Sequence, residues 1–180
     1  MLKDKESIKM IVVLVAIAVI TAALLAGVNM LTAPVIASNN QAELEDSLNK
    51  VLPAQEFKIL RETDEYIVYE ALENGERVGF CVVNSDKGYG GDVKVMTGVN
   101  LKGKVTNVKI LEHSETPGLG ANADKEDFTN QYVDKENGIE VVKNSVKGNQ
   151  IRAISGATVT SSAVTRAVNF AITLAEEELK

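Results

Sequence analysis

The stretch Ser155-Gly156-Ala157-Thr158-Val159-Thr160-Ser161-Ser162 comes directly before a long run of helix-forming residues. Apolar side chains recur at helical spacing in that run, which predicts a helix over 161–179 with one buried face. The glycine turn and the hydroxyls lie where this helix begins. Because the unpaired N–H groups and the positive dipole end of a helix N-terminus attract anions, this turn is a candidate phosphate site. A helix cap supplied by the Thr158 or Thr160 side chain is the simpler alternative.

The segments upstream of this helix have the patterns of short strands. Asn74-Gly75 separates two of them, and this dipeptide favours the tight turn of a β-hairpin. The predicted strands are 65–72, 77–83, 93–96, 105–111, 139–142 and 148–154, with a short helix at 124–132. Strands followed by a long helix predict an α+β domain, in which a curved antiparallel sheet is packed by helices.

An uncharged segment near the N-terminus predicts a membrane span. No charged residue occurs from Met10 to Ala42, and residues 10–31 are almost entirely apolar. About 20 such residues cross a bilayer as a helix, whereas the apolar core of a cleaved signal peptide is only about 7–15 residues long. A single retained transmembrane helix is therefore expected at 10–31, with a signal peptide as the alternative.

The basic residues around this span predict its orientation. Lys3, Lys5 and Lys9 precede it, and no lysine or arginine follows it until Lys50. The positive-inside rule then predicts a single-pass protein of the cell membrane whose main domain is extracytoplasmic. The expected division of the chain is a cytoplasmic N-terminus at 1–9, a transmembrane helix at 10–31, a helical stalk at 32–52 and an extracytoplasmic domain at 53–180.

Charge and the scarcity of cysteine and histidine exclude several classes of function. Residues 10–180 carry 16 basic and 23 acidic side chains, so no nucleic-acid partner is expected. Cys81 is the only cysteine and stands in an apolar run, which excludes an internal disulfide and any site built from several thiolates. His113 is the only histidine. Without a Gly-x-Ser-x-Gly turn or a cluster of ligands, we expect it to be a surface or structural residue, and we expect no metal site.

Two further glycine-rich segments are candidates for a binding site. Gly88-Tyr89-Gly90-Gly91 lies between predicted strands, and Glu115-Thr116-Pro117-Gly118-Leu119-Gly120 follows the strand at 105–111. Each is explained by a turn alone, because glycine and proline favour turns. Each also suits a flat ligand, since glycines allow the backbone to approach closely while the neighbouring side chains offer polar and apolar contacts to a heteroaromatic ring.

These three segments, in this order behind one N-terminal span, resemble the FMN-binding domain family. The resemblance is strongest to the RnfG component of the Rnf electron-transport complex and more distant to the NqrC component of the sodium-translocating NADH:quinone reductase. It is carried by residues 32–36 after the span and by the segments 88–91, 115–120 and 155–158. It extends over essentially the whole chain.

The resemblance implies a flavoprotein that carries FMN covalently. In the family, a separate flavin transferase esterifies the FMN phosphate to the last threonine of a Ser/Thr-Gly-Ala-Thr motif, which is Thr158 here. Lys143 or Lys147 is implied as a counter-charge, and Arg152 stands where the family motif usually has an acidic residue. The implied cofactor-binding residues are Thr158, Ser155, Gly156, Ala157, Thr160, Ser161, Glu115, Thr116, Leu119, Gly120, Tyr89, Gly90, Gly91 and Lys143.

The implied function is electron transport within a complex that couples electron flow between reduced ferredoxin and NAD⁺ to the transport of Na⁺ or H⁺. The chain would be a redox subunit rather than a complete enzyme, because no segment resembles a ferredoxin or NADH site. Its implied partners are the other membrane and redox subunits of the Rnf complex, the flavin transferase and the lipid bilayer. The alternatives are the NqrC component of the quinone reductase, for which the chain is short, and a cofactor-free, membrane-tethered binding or scaffold module.

Overall fold

The computed structural model describes residues 2–179, without the side chains of 2–8 and 33–42. The chain divides into two compact units, Met1–Leu44 and Glu45–Lys180. The first unit is the larger part of helix α1 (Leu2–Val51). Within this helix, Lys9–Thr32 has the length and apolar composition needed to cross a membrane, and its side chains are exposed. These 24 residues extend about 36 Å at 1.5 Å per residue, enough for a bilayer core of about 30 Å.

The second unit has the predicted α+β architecture. Its strands β1 to β5 form one antiparallel sheet in sequence order, and β6 and β7 form a separate parallel pair. Its elements are β1 (Glu56–Glu62), β2 (Tyr66–Glu73), β3 (Glu76–Lys87), β4 (Asp92–Asn100), β5 (Val105–Glu112), a 3₁₀ turn (Gly120–Asp124), α2 (Glu126–Thr129), a second 3₁₀ turn (Asn130–Tyr132), β6 (Glu140–Val142), β7 (Gln150–Arg152) and α3 (Thr158–Glu178). The predicted fold class is therefore confirmed.

One face of the sheet is covered by α3. Alternate residues of β3, including Phe80 and Val82, pack against the small and β-branched side chains of α3, including Ala167 and Val168. The predicted hairpin turn is present between β2 and β3, where Asn74 (φ 52°) and Gly75 (φ 81°) both have the positive φ angles of a type I′ turn. Helix α3 begins three residues before its predicted start.

The opposite face of the sheet is covered by the C-terminal end of α1. Leu48 and Val51 are buried there beside Cys81, which is fully buried as its apolar surroundings predict. Thr106 Oγ1 donates a hydrogen bond of 2.5 Å to the Val51 carbonyl oxygen, and Asn107 Nδ2 donates one of 3.0 Å to that of Lys50. Side chains of β5 thus satisfy carbonyl groups that a helix end leaves unpaired.

Removal of the docked helix end is expected to weaken the domain strongly. A protein made of residues 53–180 lacks Leu48, Val51 and Leu52, and each such buried side chain contributes about 1.5–3 kcal/mol. We expect its urea midpoint to fall well below that of residues 45–180, and Cys81 to become reactive. Urea unfolding and iodoacetamide labelling of both proteins test this. Equal midpoints with an unreactive Cys81 in both would show that the docked end is dispensable.

Candidate functional site

A cleft of about 700 Å³ opens where three loops meet at one end of the sheet. Because neighbouring strands are antiparallel, the β3–β4 connection and the end of β5 lie at the same end, and the turn from β7 into α3 faces them. The predicted site residues that line the cleft are Tyr89, Glu115, Thr116, Leu119, Gly120, Lys143, Ser155, Gly156, Ala157, Thr158 and Thr160.

Some predicted residues do not line the cleft, and some lining residues were not predicted. Gly90, Gly91 and Ser161 are absent from its wall, as is Lys147. The wall also contains Arg152, Ala153, Ile154 and Val159. Three of these four are apolar, and an apolar residue in an alternating segment carries no signal that separates a cleft wall from a core.

The Glu115 carboxylate connects the three loops. Its Oε1 accepts hydrogen bonds from the backbone N–H groups of Tyr89 (2.8 Å) and Gly90 (3.1 Å). Its Oε2 accepts one from Thr160 Oγ1 (2.8 Å) in the first turn of α3. Only 7% of Glu115 is exposed. Burial acts to raise the pKa of Glu115, but these hydrogen bonds outweigh it and hold that pKa below its usual value.

The glycines of the two upstream segments are explained by this carboxylate and by the chain beside it. A Cβ on Gly88 or Gly120 would overlap a carboxylate oxygen of Glu115, and a Cβ on Gly90 would overlap the carbonyl oxygen of Ser114. The absence of side chains therefore permits the loops to close around Glu115. Close packing within the protein accounts for these three glycines before any ligand is considered.

The first turn of α3 leaves Thr158 available. Ala157 occupies the N-cap position and no side chain caps the helix, so the alternative of a cap from Thr158 or Thr160 is wrong. The Thr160 hydroxyl is bound to Glu115 instead. Thr158, the first helical residue, is exposed to the cleft. Its hydroxyl lies beside the N–H groups that favour an anion at a helix N-terminus.

Ser161 fixes the turn that precedes the helix. Its Oγ accepts a hydrogen bond from the Ile154 N–H (2.9 Å) and donates one to the Ala157 carbonyl oxygen (2.9 Å). It is fully buried. Ser161 therefore contributes to the cleft by holding the β7–α3 turn in place.

The charges at the cleft favour an anion. Lys143 and Arg152 line it, and within the described part of the chain neither side chain forms an ion pair. The negative charge of Glu115 is compensated by its three hydrogen bonds. His113 lies behind the loop, where its Nε2 is 2.9 Å from Asp124 Oδ2 and its Nδ1 accepts the Glu115 N–H (3.1 Å).

Comparisons with known proteins agree with this arrangement. Residues 88–173 match the FMN-binding domain model, and residues 1–51 match the model of the RnfG N-terminal region. The RnfG protein of the proton-translocating ferredoxin:NAD(+) oxidoreductase complex of Clostridium ljungdahlii is 35% identical over 154 residues, which cover 85% of this chain and 83% of that protein. The chain belongs to the RnfG family.

Further relatives support membership of the RnfG family. The RnfG protein of the Na(+)-translocating ferredoxin:NAD(+) oxidoreductase complex of Acetobacterium woodii is 34% identical over 190 residues, covering 93% of this chain and 91% of that protein. NqrC of the Na(+)-translocating NADH-quinone reductase from Parabacteroides distasonis has the same fold, with a TM-score of 0.59 at 22% identity over 77% of this chain and 83% of that one. NqrC from Shewanella oneidensis gives a TM-score of 0.58 at 19% identity, over 72% and 71%.

The close approach at Gly120 is expected to make Gly120→Ala destabilising. The new methyl group would meet Thr160 Oγ1 at 2.7 Å and overlap Glu115, and overpacking of this kind costs about 1–3 kcal/mol. We expect urea unfolding to show a loss in that range. Gly148→Asn is the matched control, because Gly148 has a φ of 54°, which asparagine adopts, and no atom within 4 Å. Equal stability of the two variants would contradict the expectation.

Proposed function

We propose that this chain is a membrane-anchored electron-transfer subunit that carries FMN as a phosphoester of Thr158 within an ion-translocating ferredoxin:NAD⁺ oxidoreductase complex. The observation that carries the proposal is the exposed Thr158 hydroxyl at the uncapped start of α3. It faces a cleft of about 700 Å³, within the 300–1,000 Å³ range of ligand sites. The hydroxyl also belongs to the segment that matches the FMN-binding domain.

The residues around Thr158 fit the phosphate end of FMN. A phosphodiester keeps one negative charge, and the free N–H groups of the first turn of α3 stabilise a charge at that point. Lys143 and Arg152 line the same cleft and lack carboxylate partners in the described part of the chain. Either cation adds a favourable charge without first having to break an ion pair.

The apolar side chains at the cleft fit the ring end of FMN. Tyr89 is 79% exposed, Leu119 is 45% exposed and Val159 is 51% exposed, and all three line the cleft. Large apolar side chains exposed together mark a binding surface, and an aromatic heterocycle would cover them. The flavin supplies the electron transfer, and the protein holds it, covers its faces and sets its electrostatic surroundings.

The proposal extends to the position of the chain in the membrane. Residues 1–9 would be cytoplasmic, 10–31 would span the bilayer, 32–52 would form the stalk and 53–180 the extracytoplasmic domain. A covalent bond keeps the cofactor on a domain that has left the cytoplasm. Attachment requires a flavin transferase, and the other subunits of the complex supply and remove the electrons, since this chain has no recognisable ferredoxin or NADH site.

Two alternatives are less well supported. The likeness to NqrC of the quinone reductase is one of fold, at 22% identity or less, whereas the RnfG relatives exceed 30% identity over most of the chain. A cofactor-free scaffold would leave Thr158 and the exposed apolar cleft without a role. We therefore favour the flavin-carrying subunit.

The decisive experiment is production of the full chain with and without a flavin transferase, followed by denaturing electrophoresis under ultraviolet light. We expect a fluorescent band only with the transferase, and a protein mass increased by one FMN less one water. A dark band of unchanged mass, from cells in which a known substrate of the transferase is labelled, would support the scaffold alternative instead.

A further inference from the structure

We propose that a second cleft, next to the first, is the docking groove for an acidic segment of the protein that exchanges electrons with the flavin. This cleft has a volume of about 540 Å³. The inference rests on the proposed function, because it assigns the groove to a redox partner. It adds the place of contact and the chemistry of the partner surface.

The two clefts are continuous. Arg152, Ala153 and Ile154 line both of them, so a partner seated in the second cleft lies directly beside the first. The buried Phe128 of α2 and the partly exposed Val146 add apolar surface to the groove. A polypeptide segment suits a long lining of this mixed kind better than a small anion does.

The groove carries unpaired positive charge on an acidic protein. Lys125, Lys135 and Arg152 line it against a single carboxylate, Asp127, while the whole chain has a net charge of −6. Lys135 Nζ donates one hydrogen bond, to the Gly148 carbonyl oxygen (2.5 Å). Within the described residues, neither Lys125 nor Arg152 makes an ion pair or a side-chain hydrogen bond.

Arg152 differs from the other arginines in this respect. Arg61, Arg77 and Arg166 each hold a carboxylate, those of Glu178, Glu70 and Asp86 respectively. Arginine binds carboxylates through two parallel hydrogen bonds, so a guanidinium without a partner at the border of two clefts is a ready contact for an Asp or Glu.

The polar amides of the groove are already used within the domain. Gln131 forms hydrogen bonds with both the N–H and the carbonyl oxygen of Arg152, and Gln150 Nε2 donates to Glu140. Asn122 Nδ2 donates to the Gly118 carbonyl oxygen. The cations therefore remain as the main recognition groups, which favours carboxylates and electrostatic steering of the partner.

Site-directed photo-crosslinking in the assembled, flavin-loaded complex tests the proposal. Val146→Cys places a thiol in the groove, and Leu101→Cys places one in the β4–β5 turn as a matched exposed apolar control. The native Cys81 is buried, and burial raises its pKa to about 12, so a thiol-reactive benzophenone labels the introduced residue. Mass spectrometry then identifies the attached peptide.

We expect the probe at position 146 to capture an Asp/Glu-rich segment of another protein of the complex. The yield should fall about fivefold in a Lys125→Glu background and at about 0.5 M salt, but not with Lys102→Glu at the opposite end of the sheet. Capture no greater than from position 101, capture of a segment without acidic residues, or a yield insensitive to Lys125→Glu would each overturn the proposal. Flavin fluorescence of the same bands reports separately on the proposed function.

Discussion

Thr158→Ala is expected to abolish covalent flavin attachment completely while leaving the protein folded. The substitution removes the exposed hydroxyl to which the phosphate is proposed to be esterified, and Thr158 contributes no side-chain cap to α3. Electrophoresis under ultraviolet light should give a dark band of full intensity in the protein stain. The intact mass should equal that of the unmodified polypeptide.

Two companion variants make this result specific. Thr158→Ser retains a hydroxyl at the same place, so we expect fluorescence to persist. Thr158→Ala combined with Val159→Thr moves a hydroxyl to the neighbouring cleft residue and is expected to remain dark, because attachment depends on the position of the oxygen. Persistent fluorescence in the single alanine variant would move the attachment point to another residue.

Glu115→Ala is expected to cause the largest loss of stability among substitutions at the cleft. It leaves two backbone N–H groups and the Thr160 hydroxyl without their acceptor, and each buried polar group left unpaired costs about 1–3 kcal/mol. Because the first cleft is open to water, we expect a total near the lower end, about 3 kcal/mol, by urea unfolding at pH 7. An unchanged midpoint would contradict the connecting role of the carboxylate.

The same residue predicts a pH dependence with a definite sign. The pKa of Glu115 is lower in the folded protein than the value of about 4.3 in an unfolded chain. Its stabilising effect is therefore complete above about pH 4.3 and is lost as the pH falls through the lower, folded-state pKa. Glu115→Gln keeps the shape of the side chain without the charge, so the difference in unfolding free energy between the two proteins should shrink as the pH falls.

The sequence predicted the sheet well where its strands are half buried, and missed the strand that is not. β1 contains Ile59 and Leu60 among charged residues, and most of it is exposed at the edge of the sheet. An edge strand that buries little has no alternating pattern to detect. The start of α3 was placed late because Thr158 and Val159 are β-branched and have low helix propensity, which tertiary contacts of Thr160 overcome.

The cleft was predicted in its members but not in its internal connections. The resemblance brought together the three glycine segments, and most of the residues it implied line the cleft. Nothing in the sequence indicated that Glu115 would bind the N–H groups of Tyr89 and Gly90, because such long-range hydrogen bonds depend on how loops distant in sequence meet. The docking of Leu48 and Val51 was hidden for a similar reason, since the surrounding segment is polar.

The three hydrogen bonds of Glu115 have a consequence for how the cleft behaves as a whole. One carboxylate closes all three walls, so no wall can swing away without breaking the bonds that hold the others. Local opening of such a region is cooperative, and the cleft opens or closes as one unit. An incoming cofactor therefore meets a finished receptacle, and its binding energy need not be consumed in ordering the walls.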